Sequence, residues 1–331
     1  MRGGLDTVRV AVVGMGYLGN IHAQKYAAMD GVELVAVVDS DRQRAEAASR
    51  RYGTTAYASH RDILGLVDAV SVVVPTPVHF SVSWDFLEAN VDVLIEKPMT
   101  TTLQEADALI NSAQKRDLII QVGHLERFNP AVVALQGVVK SPLFIESHRL
   151  SVFKDRCTDV SVVLDLMIHD LDIILNLVPS KIKDIRAVGA SVISPHVDIA
   201  NARIEFENGC VANVTASRVS LKNQRKIRMF QKDGYIAVDF GERNITVIRR
   251  GTGPGGVIPG MEITQEHFEE GDALEAELAA FIRCIQTRET PEVSGKVGRD
   301  ALRTALIVME EIGKASAHVQ KNLGLSLSRP A

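Results

Sequence analysis

Asp165, His169 and Asp172 fall four and three residues apart within Ser161-Val162-Val163-Leu164-Asp165-Leu166-Met167-Ile168-His169-Asp170-Leu171-Asp172. On a helix these spacings put all three side chains on one face. An imidazole titrates near neutrality and a neighbouring carboxylate can orient it, so the group is suited to taking a proton from a hydroxyl. Val162, Leu166, Ile168 and Ile173 flank that face and predict partial burial, where a charged pair has to be satisfied. In isolation such a pair reads first as a structural contact. A second reactive group is Lys97, in Glu96-Lys97-Pro98 at the end of the apolar run Val91-Asp92-Val93-Leu94-Ile95. The proline stops a strand there because it has no N–H for the ladder. A lysine at the mouth of a parallel sheet can meet a small polar ligand and stabilise a developing alkoxide.

Hydroxyl oxidation needs a hydride acceptor, and the N-terminal segment offers a place for one. Val10-Ala11-Val12-Val13 leads into Gly14-Met15-Gly16-Tyr17-Leu18-Gly19, a GxGxxG pattern. Gly14 permits a tight bend, Gly16 lets backbone approach a pyrophosphate, and Gly19 lets helix and strand pack closely. The pyrophosphate is then expected on N–H groups at a helix N-terminus. Asp39 ends the next apolar run, 20 positions beyond Gly19, where a carboxylate can accept the ribose hydroxyls of adenosine. NAD is therefore expected, in preference to NADP, whose 2′-phosphate would meet the Asp39 charge. Arg42 and Arg44 are assigned to a solvated helix face. Val74-Pro75-Thr76-Pro77-Val78-His79 is a stiff turn where the nicotinamide half is expected, so Pro75, Thr76 and His79 join Glu96 and Lys97 as cofactor contacts. For Thr76 and His79 a purely structural strand-to-helix turn is the alternative.

Gly123-His124-Leu125-Glu126-Arg127-Phe128-Asn129-Pro130 concentrates hydrogen-bonding groups. Arg127 suits a phosphate or carboxylate, Asn129 suits a sugar hydroxyl, and Glu126 is taken with them as substrate-binding. The alternative is a polar linker with a helix start at Asn129-Pro130. Lys154, Asp155 and Arg156 could reach a phosphorylated group or form a solvated turn.

The elements that must hold these residues follow from periodicity. From Val8 to about Val122, apolar runs (8–13, 32–38, 69–74, 91–95, 118–122) alternate with helix-period stretches, which implies parallel βαβ units. Such sheets bind ligands at the carboxyl ends of their strands. Beyond a helix over about 159–177, long alternating strands (182–193, 200–207, 211–220, 226–231, 235–240, 245–249) predict a large open, mainly antiparallel sheet. Gly251-Thr252-Gly253-Pro254-Gly255-Gly256 predicts a loop, and helices return over about 273–286 and 299–314. The expected fold class is α/β. A Rossmann dinucleotide domain occupies 1–122, and a substrate-binding and oligomerisation domain 123–331, whose last helices can pack back on the first.

Bulk properties exclude other classes. The 331 residues allow two cored domains, and 46% hydrophobic and 24% charged residues are ordinary for a globular chain. A net charge of −4 gives no reason to expect nucleic acid or an acidic membrane. No apolar run approaches the roughly 20 residues of a bilayer span. The stretch Met1–Asp6 lacks a signal-peptide core. Cys157, Cys210 and Cys284 form no zinc spacing and no even disulfide set. No metal is expected, and a cytoplasmic location is.

Gly14-x-Gly16-x-x-Gly19, Glu96-Lys97-Pro98 and Asp165-x-x-x-His169, in that order, resemble the Gfo/Idh/MocA oxidoreductases over nearly the whole chain. The resemblance implies an N-terminal Rossmann domain and a C-terminal domain whose open sheet forms a homodimer or homotetramer interface. It also implies that Lys97 contacts the substrate hydroxyl and nicotinamide, that His169 is the acid/base and that Asp165 is its substrate-binding neighbour. A glycine usual between the Asp and His is replaced here by Met167-Ile168, which weakens transfer from inositol dehydrogenase. The 123–130 and 165–170 segments look most like the UDP-N-acetylglucosamine 3-dehydrogenases of lipid A synthesis, whose keto product goes to a PLP aminotransferase. The expected activity is thus oxidation of a ring hydroxyl, at C3, of a sugar nucleotide. Inositol or free-sugar oxidation, and non-catalytic NAD sensing in regulation, stay open as alternatives.

Overall fold

The computed structural model describes residues 7–153, 160–251, 260–268 and 271–323, with side chains to 318. Lys154, Asp155, Arg156, Cys157 and most of the glycine loop after Gly251 lie outside the described residues. The chain forms two compact units, Met1–Phe128 with Asp272–Leu302, and Asn129–Gly271 with Arg303–Ala331.

The first unit is a parallel sheet of β1 (Val8–Val13), β2 (Val32–Val38), β3 (Thr55–Tyr57), β4 (Ala69–Val72), β5 (Asp92–Glu96) and β6 (Ile120–Gly123). Their spatial order is β3-β2-β1-β4-β5-β6, the half-reversed winding that opens a crevice between β1 and β4. These strands read as nearly continuous valine and isoleucine runs because both faces are covered. The covering helices are α1 (Tyr17–Ala27), α2 (Arg42–Tyr52), α3 (His79–Glu88) and α4 (Leu103–Arg116). Their ends are encoded locally. Asp41 caps α2, which closes on Gly53 at φ 67, and Thr102 with Glu105 forms a capping box on α4.

Val8, Val10, Val12, Tyr26 and Leu94 share one core with Leu274, Leu278, Phe281 and Ile285 of α7 (Ala273–Thr287). A helix from the far end of the chain thus completes the first unit. The expected boundary at 122/123 differs from the observed division. The 3₁₀ turn Leu125–Phe128 stays with the first unit, where it packs against α7.

The second unit is an eight-stranded sheet in the order β14-β13-β12-β11-β7-β10-β9-β8. Its strands are β7 (Pro142–Leu150), β8 (Ile182–Ala190), β9 (Ile199–Phe206), β10 (Val211–Ser217), β11 (Gln224–Gln231), β12 (Gly234–Asp239), β13 (Asn244–Arg250) and β14 (Met261–His267). All pairings are antiparallel except β10 with β7. Short α5 (Pro130–Val133) opens this unit, and α6 (Ile168–Leu177) follows a π-helical turn, Val163–Met167. The long α8 (Gly295–Leu323) has residues to Leu302 in the first unit and the remainder in the second. No helix among the described residues is long and apolar enough to cross a membrane.

Candidate active site

At the end of β1 the chain turns on Gly14, whose φ is +97 and where a Cβ would stand 2.2 Å from the Val73 carbonyl oxygen. A Cβ on Gly19 would lie 1.7 Å from the Gly14 oxygen, so helix and turn can touch only through glycine. At Gly16 nothing lies within 4 Å of that position, which leaves the backbone open to a ligand. α1 begins there with no side-chain cap and no acidic residue in its first turn. Its first N–H groups thus suit a diphosphate. Asn20 Nδ2 holds the turn by donating to the Met15 and Gly16 oxygens at 2.8 and 2.9 Å.

Asp39 leaves the end of β2 with its carboxylate plane fixed. Oδ2 accepts the Met15 N–H at 2.7 Å and Oδ1 accepts the Asp41 N–H at 2.8 Å. Each oxygen keeps acceptor capacity for a ribose hydroxyl. Met15 contributes backbone alone, since its side chain is in the core. Gly14, Gly16, Tyr17, Leu18, Gly19, Asp39, Pro75, Thr76, His79, Glu96 and Lys97 line a single groove of about 860 Å³ in the first unit. That volume lies within the usual range for cofactor sites, and the glycine cradle, uncapped helix and oriented carboxylate together fit a dinucleotide.

His79 lines the groove and also meets backbone. It is buried, and its Nδ1 and Nε2 lie 3.0 and 2.8 Å from the carbonyl oxygens of Pro98 and Val74. These approaches support the strand-to-helix turn alternative for the ring, whose one N–H in the neutral form can donate to either carbonyl. Arg127 also meets a partner within the chain. It is buried, with Nη2 donating to Glu292 at 3.1 Å inside the first unit. Asn129 caps α5, its Oδ1 accepting the Ala131 N–H at 3.0 Å, so the helix-start alternative describes its oxygen. Glu126 is half-buried on the 3₁₀ turn.

Asp165 and His169 belong to the second unit and are half-buried. Asp165 lies in the π turn, where the Ile168 N–H bonds back to the Val163 oxygen, and His169 stands at the start of α6. The expected uninterrupted α-helix is thus widened by one residue at the Asp–His step, as is common at functional sites. Asp172 is buried on the same helix. Beside His169, Asp170 receives a bidentate ion pair from Arg149 of β7, Nε and Nη2 each at 2.9 Å, and both side chains are buried. Ser161 supports the start of the turn, accepting the Val163 N–H on its hydroxyl and the Asp165 N–H on its carbonyl.

Sequence reasoning missed several groove residues. Ser40, Ala58, Ser59 and His60 line it, the last three from the end of β3, a three-residue strand too short to show a period. Arg44 also lines the groove while pairing with Asp41 at 3.3 Å. Arg149 carried no signal, because its partner is 21 residues away on another element.

A βαβ sheet with a glycine cradle and a strand-end acid defines a nucleotide-dependent dehydrogenase of the Rossmann type. Residues 8–124 match the family model described as an oxidoreductase family with NAD-binding Rossmann fold, and 134–237 match the GFO/IDH/MocA C-terminal domain. The chain belongs to the Gfo/Idh/MocA oxidoreductase family, and its first unit is the NAD-binding domain. It is 40% identical over 302 residues to a UDP-N-acetylglucosamine 3-dehydrogenase of Acidithiobacillus ferrooxidans, covering 91% of this chain and 96% of that one. A solved structure of that enzyme superposes with a TM-score of 0.88 at 39% identity, covering 92% of this chain and 97% of the other. A scyllo-inositol 2-dehydrogenase (NAD(+)) of Bacillus subtilis is 27% identical, covering 87% and 89%.

Proposed function

We propose that this enzyme oxidises a ring hydroxyl, at C3, of a sugar nucleotide of the UDP-N-acetylglucosamine type. The observation that carries this reading is 40% identity over nearly the full length of both chains to a dehydrogenase of that name, against 27% to an inositol dehydrogenase. Bound NAD supplies the hydride acceptor. The α1 N-terminus holds the diphosphate and Asp39 the adenosine ribose. Lys97 steadies negative charge growing on the substrate oxygen, and His169 accepts the hydroxyl proton with Asp165 as its neighbour. Glu126 is kept as a substrate contact.

In this reading the outward face of the second unit's sheet, which carries the pairs Arg228–Glu146 and Lys226–Asp239, joins subunits into a homodimer or homotetramer. The keto product suits a PLP aminotransferase that installs an amine, as in lipid A synthesis. Buried, unbridged Cys210 and Cys284 agree with a reducing cytoplasm. The test is absorbance of reduced nicotinamide after adding NAD with UDP-N-acetylglucosamine, scyllo-inositol, myo-inositol or glucose, with the product carbon assigned by NMR. Turnover of inositols with none of the sugar nucleotide would overturn the reading.

A further inference from the structure

Behind the groove wall that carries Lys97 lies a buried imidazole that the cofactor and substrate roles above do not use. His22 of α1 has no solvent exposure, and its Nε2 lies 3.2 Å from Oε1 of Glu96. Neither ring nitrogen completes a hydrogen bond among the described residues, and the Glu96 carboxylate, at an ion-pair distance from Nε2, is the polar group this ring approaches. The other oxygen, Oε2, accepts the Lys97 N–H at 3.3 Å. The carboxylate rests on Gly123 of β6, where a Cβ would fall 2.8 to 2.9 Å from its carbon and both oxygens. Glu96 is thus held on three sides: by an imidazole from beneath, by a glycine shelf beside it, and by the backbone of the lysine after it. Its remaining side faces the groove.

We propose that His22 is a positioning residue: through Glu96 it sets the direction in which Lys97 leaves the strand. Full burial of the imidazole makes its contact with the carboxylate specific, because a buried ring nitrogen without a polar partner carries a desolvation penalty. Nε2 and Oε1 stand 3.2 Å apart outside hydrogen-bond alignment, so a small turn of the ring brings an Nε2 proton to Glu96. The inference rests on the role given to Lys97 above.

The test compares His22→Leu, which removes the donor, with His22→Gln, whose amide can stand where Nε2 stands, and with Gly123→Ala, which pushes the carboxylate from the opposite side. Turnover, NAD affinity by fluorescence of the reduced cofactor, and the rate of Lys97 acetylation by acetic anhydride are measured on each. We expect His22→Leu and Gly123→Ala to lower kcat by about 10- to 100-fold, the effect of losing a polar contact to a charged group. NAD affinity stays unchanged, the Lys97 acetylation rate shifts, and His22→Gln restores most of the loss. A His22→Leu enzyme with a lowered melting temperature but wild-type kcat and Lys97 labelling would reduce His22 to packing. Equal impairment in His22→Gln and His22→Leu would do the same. Should the wild-type enzyme leave sugar nucleotides untouched while Lys97 labelling still responds to His22→Leu, the substrate reading falls and the positioning role stands.

Discussion

His169 and Lys97 give separable signatures because they lie in different units. His169→Ala removes the proton acceptor, and kcat/KM is expected to fall by ~10²–10⁴-fold. NAD affinity is expected to hold, since every residue lining the groove belongs to the first unit. Lys97→Ala is expected to lose turnover with near-normal NAD affinity, because the glycine cradle and Asp39 remain. Steady-state kinetics with a fluorescence titration of the reduced cofactor checks both, and wild-type turnover in either variant removes that residue from the mechanism. The glycine fingerprint and Asp39 were legible in the sequence because their chemistry is local. The partners of His79, Arg127 and Asn129 within the chain were not, since residue type does not name them. Arg127 meets Glu292, 165 residues away, and the His79 ring nitrogens lie beside two carbonyl oxygens.

Elements were legible where their burial pattern was regular. β1 and β2 match the expected runs at both ends. β7 escaped because its inward face reads Ile145, Ser147, Arg149, and a charge at a core position breaks the apolar alternation. That charge is compensated by Asp170, and the pair fastens α6 to the middle of the sheet. Removing one partner leaves the other buried and unpaired, so Arg149→Met is expected to destabilise by about 3–5 kcal/mol. The double variant Arg149→Met/Asp170→Leu should lose less, and urea melts of the three proteins measure the difference.

A second tie holds the turn after β8. Burial alone would raise the Asp198 carboxyl, but the Ser194 hydroxyl and the N–H groups of Val192, Ile193 and Ser194 outweigh it and hold the group well below the usual carboxylate range. A depressed folded value means stability that is fully present above the unfolded pKa, near 3.9, and lost as pH falls below it toward the folded one. The difference in thermal stability between wild type and Asp198→Asn should be constant from neutral pH to about 5 and shrink below about 4. A difference that grew on acidification would refute the linkage.

At the scale of the whole molecule, the first unit is discontinuous in sequence, a property that local patterns carry poorly. The helical period over 273–286 identifies a helix but not the unit it completes. The structure gives that answer in contacts spread along the segment. Phe281 and Leu278 are fully buried against β-strand valines. Gln121 donates to the Glu277 carbonyl at 2.9 Å, Arg288 pairs with Asp92 at 2.7 Å, and Arg299 pairs with Asp107 at 2.9 Å. Phe281→Ala should therefore cost about 3–5 kcal/mol, and the loss should appear as weakened NAD binding on warming although Phe281 lines no part of the groove. The same contacts predict the behaviour of fragments. Residues 1–128 alone contain the whole glycine fingerprint yet leave one face of the sheet without α7, so they should aggregate or melt without cooperativity. Joining 272–302 to them through a flexible Gly/Ser linker should restore a cooperative melt and binding of the reduced cofactor. Circular dichroism and cofactor fluorescence on the two polypeptides decide it, and a cooperative, cofactor-binding 1–128 fragment would show that α7 covers the sheet without being needed to fold it.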